Sequence, residues 1–202
     1  MADVTPTRSA VLELKDERSA MHEGYVFLDE KCLLLAGEIL RELALHARAR
    51  DALHVAHDAA VSALQAAVAR NGLEGLQVYP CAGLDVVRLR SARRSLMGVA
   101  LQNAELVGLS ERAPPAVDRS PEAEGCRDAF RTLLDCAAVH GAHAGNLERL
   151  SLEYRRSVRR ARALQDVLLP ECDRTVVELE TRLEELEQED AIWMARAARG
   201  AR

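Results

Sequence analysis

The sequence predicts an all-α fold: a long antiparallel two-helix coiled coil with a small central β-hairpin and loop region. Three observations carry this. No proline lies between Pro6 and Pro80, and only Pro170 interrupts the run from Pro121 to the C-terminus. Proline removes a backbone donor and clashes with the preceding turn, so such stretches permit long helices. Both stretches repeat apolar residues at alternating steps of three and four, the spacing of a coiled-coil seam. The middle differs in composition, with Pro80, Pro114, Pro115 and Pro121 and glycines at 72, 75, 83, 98 and 108. The division that follows is 1–70 for the first helix, 71–121 for the hairpin and loop, and 122–202 for the second helix. Two long helices around a short insert suggest a shaft and argue against a pocket-bearing enzyme.

The first helix is expected to start near Pro6-Thr7-Arg8-Ser9, with Thr7 or Ser9 supplying a capping oxygen. Its seam runs through Leu14, Met21, Tyr25, Leu28, Cys32, Leu35, Ile39, Leu43, His46, Leu53, His57, Ala60, Leu64 and Val68. Gly24 and Gly37 each cost about 1 kcal/mol relative to alanine in a helix and invite close approach of a neighbour. Asn71-Gly72 is the expected stop.

In the middle segment, Leu84 to Arg90 is rich in strand formers. Leu96 to Leu101 is its expected partner, with Ser91 to Arg94 turning the chain. Residues 108–121 read as a loop. Ser120 before Pro121, followed by Glu122 and Glu124, signals the second helix. Its seam reads Leu147, Leu150, Tyr154, Ser157, Ala161, Leu164, Leu168, Cys172, Val176, Leu179, Leu183, Leu186, Asp190, Trp193 and Ala197. The rhythm slips around Pro170, a stutter that changes supercoiling locally. The proline should kink the helix, because the seam resumes beyond it.

Composition narrows the function. The chain is 49% hydrophobic but only 3% aromatic, so its core is Ala, Leu and Val, suited to close helix contact. A net charge of −5 gives no basic field for nucleic acid or lipid. There is no signal pattern, and no apolar run approaches the roughly 18 residues of a membrane span. The five cysteines lack CxxC spacing and read as reduced thiols. His54 and His57 lie one turn apart beside Asp58, but no further ligand is near in sequence, so no metal is assigned. His140 and His143 are read likewise. Cys32 and Cys172 serve as small apolar seam residues, and Trp193 and Tyr154 as packing. No nucleotide-binding, nucleophile-elbow or zinc-helix motif occurs. No catalytic, cofactor-binding or metal residue is therefore named.

Four strings in order carry a resemblance. The chain opens with Pro6-Thr7-Arg8-Ser9, Leu12, Leu14-Lys15, Glu23-Gly24-Tyr25, Leu28 and Lys31. The hairpin region has Arg94-Ser95-Leu96-Met97-Gly98-Val99. The second helix has Arg159-Arg160-Ala161-Arg162-Ala163-Leu164-Gln165, then Val167-Leu168-Leu169-Pro170 and a charged end. Together they resemble the D subunit of the V-type (A/V-type) rotary ATPases, over nearly the whole chain. The family's usual Val, Asn and Glu of the basic motif stand here as Ala161, Arg162 and Gln165. A proline usual after the hairpin motif is Gln102, and the usually Lys-rich tail carries Arg196, Arg199 and Arg202.

The resemblance implies a non-catalytic central-stalk rotor. Its paired helices would enter a hexamer of catalytic A and non-catalytic B subunits. Its hairpin end would bind the small F subunit of the central stalk and rest on a funnel-shaped subunit above the membrane ring. It would work at the cytoplasmic face as a peripheral component, with no cofactor, no nucleic acid and no membrane insertion of its own. The candidate partner contacts are Arg155, Arg156, Arg159, Arg160, Arg162 and Gln165 on the second helix, and Arg88, Arg90, Arg94, Met97 and Gly98 on the hairpin. The arginine block either meets acidic loops of the hexamer as a torque contact or is a solvated face paired with acids of the first helix. The hairpin, with Arg88, Arg90, Arg93 and Arg94 at its tip, either touches the F subunit or the funnel subunit, or is a capping turn. A static coiled-coil scaffold is the alternative to the rotor. A helical hydrolase or metal protein would need a convergent polar cluster that the sequence does not display.

Overall fold

The computed structural model describes residues 7–79, 87–108, 116 and 119–200, with the side chains of residues 198 and 200 excepted. The elements in order are α1 (Arg8–Gln77), β1 (Arg88–Leu96), β2 (Val99–Val107), α2 (Pro121–Ala163), a π-helical turn (Leu164–Leu168) and α3 (Leu169–Gly200). The fold is all-α with a two-stranded antiparallel hairpin. Leu84 to Val86 of the expected strand, and Pro114 and Pro115 of the expected loop, lie outside the described residues.

Thr7 starts α1, its Oγ1 accepting a hydrogen bond from the Ala10 N–H at 3.2 Å. Along α1 the seam is a strict heptad. Every residue at alternating three- and four-residue steps from Met21 to Ala67 is buried or half-buried, including Glu42, Ala49, Ala56 and Ala63. Four expected seam residues lie one position off it. Leu43, His57 and Leu64 are exposed, and Val68 is only half-buried beside the fully buried Ala67. The helical geometry breaks at Gly72 (φ 70°, ψ 166°), where the stop was expected, and a further helical stretch reaches Gln77. A positive φ of this kind suits glycine.

Ser120 starts α2, its Oγ accepting from the Ala123 N–H at 3.4 Å, with Pro121 in the first helical position. From Cys126 to Leu164 the heptad positions are again all buried or half-buried. The disturbance expected at Pro170 takes the form of the π-turn before it, where the Leu169 N–H donates to the Leu164 carbonyl five residues back. Widening the turn absorbs one extra residue. Residues 165–168 are all exposed, Leu168 included, and the seam resumes at Cys172, Val176, Leu179 and Leu183. Beyond Leu183 the expected seam fails. Leu186, Asp190 and Ala197 are exposed, and Trp193 is 74% exposed.

The chain divides into two compact units: one of residues up to Leu34 with those from Tyr154 onward, the other Leu35–Glu153. In the first, α1 and α3 run antiparallel. Arg8 pairs with Glu187 at 2.7 Å, Lys15 with Glu180 at 2.6 Å and Arg18 with Asp173 at 2.6 Å, so numbers rise on one helix as they fall on the other. Cys172 Sγ donates to the Leu14 carbonyl at 3.6 Å. Burial raises the thiol pKa of Cys172, with Glu17 and Asp173 adding to it.

In the second unit α1 and α2 are antiparallel by the same test. Glu42 meets Asn146 and His143, His46 meets His140, and Asn71 reaches Ser120 at 3.0 Å. Leu35, Ala60, Ala67 and Leu150 are completely buried. The hairpin belongs to this unit. Its strands pair from Arg88–Val107 at the open end to Leu96–Val99 at the turn. The turn is Met97-Gly98 (φ 48° and 85°), not Ser91 to Arg94, which lie within β1. Two consecutive positive φ angles are the geometry that matches the twist of a two-residue hairpin. Val99 and Leu101 are its buried apolar residues.

Candidate partner-binding surfaces

On the first unit, heptad packing of α2 fixes which residues face outward. Ser157 and Ala161 are buried on the seam, so Arg155, Arg156, Arg159, Arg160 and Arg162 fall on the outer surface, and all five are exposed. Among the described residues none of the five pairs with an acid of the chain. The pairing with α1 acids weighed from sequence is therefore absent there. Gln165 is exposed at the start of the bulged turn, followed by Asp166, Val167 and Leu168. The acidic end of α3 divides. Glu180 and Glu187 are engaged by Lys15 and Arg8, while Glu184, Glu185, Glu189 and Asp190 are exposed. Ile192, Trp193 and Met194 extend this surface with apolar side chains.

The second unit carries the hairpin candidates. Arg88 and Arg90 are exposed at the open end of β1, away from the turn, and Met97 and Gly98 form the turn itself. The basic residues thus line a strand and do not make the tip. Arg94 is pinned: its guanidinium bonds Glu38, which Arg41 also grips with bonds of 3.0 and 2.5 Å. The Arg41 hydrogen bond is the chief cause holding the Glu38 carboxyl below its usual pKa. Burial opposes it and Arg94 reinforces it.

Sequence reasoning missed the group that clamps the hairpin. Glu42 sits at a seam position and is 2% exposed, and Asn146 is 1% exposed. Asn146 Nδ2 donates to Glu42 Oε1 at 2.6 Å and to the Gln102 carbonyl at 2.9 Å. Its Oδ1 accepts from the Gln102 N–H at 2.8 Å and from Arg149 Nη2 at 2.7 Å. The carboxamide thereby fills its donor and acceptor capacity. It also occupies the free edge of β2 as a neighbouring strand would, satisfying an exposed pair of backbone groups. His143 Nδ1 lies 2.8 Å from Glu42 Oε1 and closes the cluster. A carboxylate on a heptad position was the available signal.

Among the described residues no group of histidine, cysteine, aspartate or glutamate is placed to hold a metal ion. His57 is exposed and bonds its neighbour Asp58, at 3.3 Å. Cys32 is half-buried and Cys172 buried, both on the seam as expected. Among the described residues no helix is long and apolar enough to cross a membrane.

Antiparallel helices zipped along heptad seams, with a hairpin clamped by side chains, define a coiled-coil protein with exposed, charged helix faces. Its sequence matches the family of the ATP synthase D subunit over residues 10–199, and the chain belongs to that family. It is 27% identical over 200 residues to the D subunit of the A-type ATP synthase of Thermococcus gammatolerans, covering 97% of this chain and 94% of the relative. It is 23% identical over 194 residues to the D subunit of the V-type ATP synthase of Thermotoga neapolitana, covering 96% of each. With the D subunit of the A-type ATP synthase of Methanoregula boonei it shares 24% identity over 206 residues, covering 100% of this chain and 99% of the relative.

Proposed function

We propose that this protein is the central-stalk rotor shaft of an A/V-type rotary ATPase or ATP synthase. In this role it couples ATP hydrolysis or synthesis in a hexamer of A and B subunits to ion translocation across the membrane. The observation that carries the reading is the family match running from residue 10 to residue 199, with full-length relatives on both the A-type and V-type sides. The chemistry belongs to the hexamer, and this chain transmits torque as a non-catalytic, peripheral component at the cytoplasmic face.

The packing suits transmission. The seam positions of α1 and α2 are buried or half-buried in heptad register, the packing by which twisting one helix drives the other. The arginines at 155, 156, 159, 160 and 162 are the proposed contacts with acidic loops of the hexamer. Unpaired among the described residues, they are available to bind and release at each step, and exposed ion pairs of about 0–1 kcal/mol do not trap a rotor. Gln165 on the bulged turn extends that contact. Arg88, Arg90, Met97 and Gly98 form the proposed surface for the F subunit and the funnel subunit on the rotor ring, with Arg94 holding the strand in place.

The test is ATPase activity of a reconstituted A/B hexamer with and without this chain, together with co-elution on a sizing column. Stable binding with altered, sustained turnover is expected. A soluble helical chain that neither binds nor changes turnover would leave a static scaffold. Arg159→Glu with Arg160→Glu should leave thermal stability within about 0.5 kcal/mol, as for exposed sites, while weakening hexamer binding. Unchanged binding and torque would remove the arginine face from the contact.

A further inference from the structure

The second unit contains a polar layer that neither packing nor the rotor role requires. His46 of α1 and His140 of α2 occupy facing heptad positions, with ring centroids 4.6 Å apart and planes tilted by 37°. Both rings are half-buried. One helical turn away lies the Glu42–Asn146–His143 cluster that holds β2 through Gln102. The charged and titratable groups that act on His140 are basic, although one of them, Arg50, shares its charge with Asp51 at 3.0 Å. From α1 come His46, Arg50 and His54, and from α2 comes His143. On the hairpin side, Arg94 and Arg41 line the cavity that His143 borders. Glu42 is the nearby carboxylate, and its Oε1 is already shared by His143 and Asn146.

Two neutral imidazoles can stack at this distance, and a single proton can be tolerated. Two protons place like charges face to face on the seam, at 4.6 Å between ring centroids. We propose that the His46–His140 layer is an acid-sensitive joint of the coil, closed when the imidazoles are neutral and opened when acid charges them. Opening it releases the adjoining hold of Asn146 on the hairpin. The direction of the His140 pKa agrees. It lies below the ordinary imidazole value, first because of burial and then because of His46, His54, Arg50 and His143. A lowered histidine pKa means that the open state takes up the proton first. The closed state is therefore at full strength above about pH 6.5 and weakens as pH falls below it.

The test is amide hydrogen exchange on the full-length chain at pH 7.5 and 5.5, corrected for the intrinsic pH dependence of exchange. Residues 42–50 and 140–146 should lose protection by about tenfold at pH 5.5, the ceiling for one excluded proton one unit below an ordinary imidazole pKa. The Gln102 amide, whose N–H is held by Asn146, should follow them. His46→Leu with His140→Leu should keep its protection at pH 5.5. If that double variant does not fold, His140→Gln, polar and non-titrating, takes its place. His57→Gln, on the exposed surface, should behave as the native chain. Equal protection at the two pH values, or the same acid loss after removal of the histidine pair, overturns the joint. Acid loss in the coil with Gln102 still protected overturns its link to the hairpin.

Discussion

Replacing Asn146 by alanine tests whether one carboxamide holds the hairpin on the coil. The substitution removes four hydrogen bonds at a residue only 1% exposed. Glu42, 2% exposed, loses the Asn146 donor and keeps its contact with His143. Arg149, whose Nε is already buried without a partner, loses the acceptor of its Nη2. Each buried group left unsatisfied costs about 1–3 kcal/mol. Water reaches the half-buried Gln102, so we count the carboxylate fully and the backbone pair in part, giving about 3–5 kcal/mol. Gln102→Pro isolates one component. The N–H and carbonyl of Gln102 both turn to Asn146, away from β1, so proline there deletes a single bond and leaves the strand pairing intact. Its cost should be about 1–2 kcal/mol. Urea unfolding by circular dichroism reads both variants as a lower midpoint at unchanged slope. A loss below about 1 kcal/mol for Asn146→Ala, or a greater loss for Gln102→Pro, would refute the reasoning.

Leu150→Ala, at a completely buried seam position, should cost about 2–5 kcal/mol in urea unfolding, while Leu43→Ala, 52% exposed, should stay below about 1 kcal/mol. Comparable losses would mean that the heptad frame of α1 is shifted. Gly98→Ala forces a side chain to φ 85° and should cost about 1–2 kcal/mol, whereas Met97→Gly relaxes φ 48° and should cost less or stabilise. Thermal melts of the two variants decide their order. The depressed Glu38 pKa makes its grip on Arg94 fully present above the ordinary carboxylate value of about 4.3, and lost as pH falls through the lower folded value. The stability difference between native chain and Glu38→Gln should therefore be constant near neutrality and shrink below about pH 4.

The heptads were legible because they repeat, and the errors fall where the repeat carries no bulk. On α1 the seam passes through Glu42, Ala56, Ala63 and Ala67, and each lies beside a larger or ring-bearing residue: Leu43, His57, Leu64 and Val68. Reading by side-chain size chose the neighbour each time. A strict count of sevens from Leu35 and Ile39 reaches the correct set. The π-turn was legible as a stutter but not as a form, since proline constrains a helix without specifying how it yields. The hairpin turn was misplaced because Ser91, Arg93 and Arg94 are polar, yet only Met97-Gly98 stands between the apolar ends Leu96 and Val99. Trp193 keeps seam spacing yet is exposed, lying beyond Arg8–Glu187, the last ion pair between α1 and α3 among the described residues. Of the clamp, the sequence signals only Glu42, a carboxylate on a heptad position; Asn146 and Gln102 join it only through tertiary contact.

That clamp also answers a difficulty inherent in alanine-rich coils. Small, similar layers pack almost equally well when one helix slides by a heptad, so apolar burial alone fixes register weakly. Asn146 does not repeat. Sliding α2 by seven residues would bring Glu153 or Val139 to the place of Asn146 opposite Glu42. The first sets two carboxylates together in a buried site, and the second leaves Glu42 without that donor. Either also strips Gln102 of its partner on the edge of β2. A buried polar residue that specifies register at some expense of stability is a known device of coiled coils. In this chain the hairpin is part of it, because the same carboxamide reads the carboxylate of one helix and the backbone of one strand. A proline at position 102 would have no N–H for Asn146 Oδ1 to accept from, so the glutamine is itself part of the clamp. Slippage of α2 along α1 is thereby opposed at the level of one seam layer, and the hairpin is held in register with it.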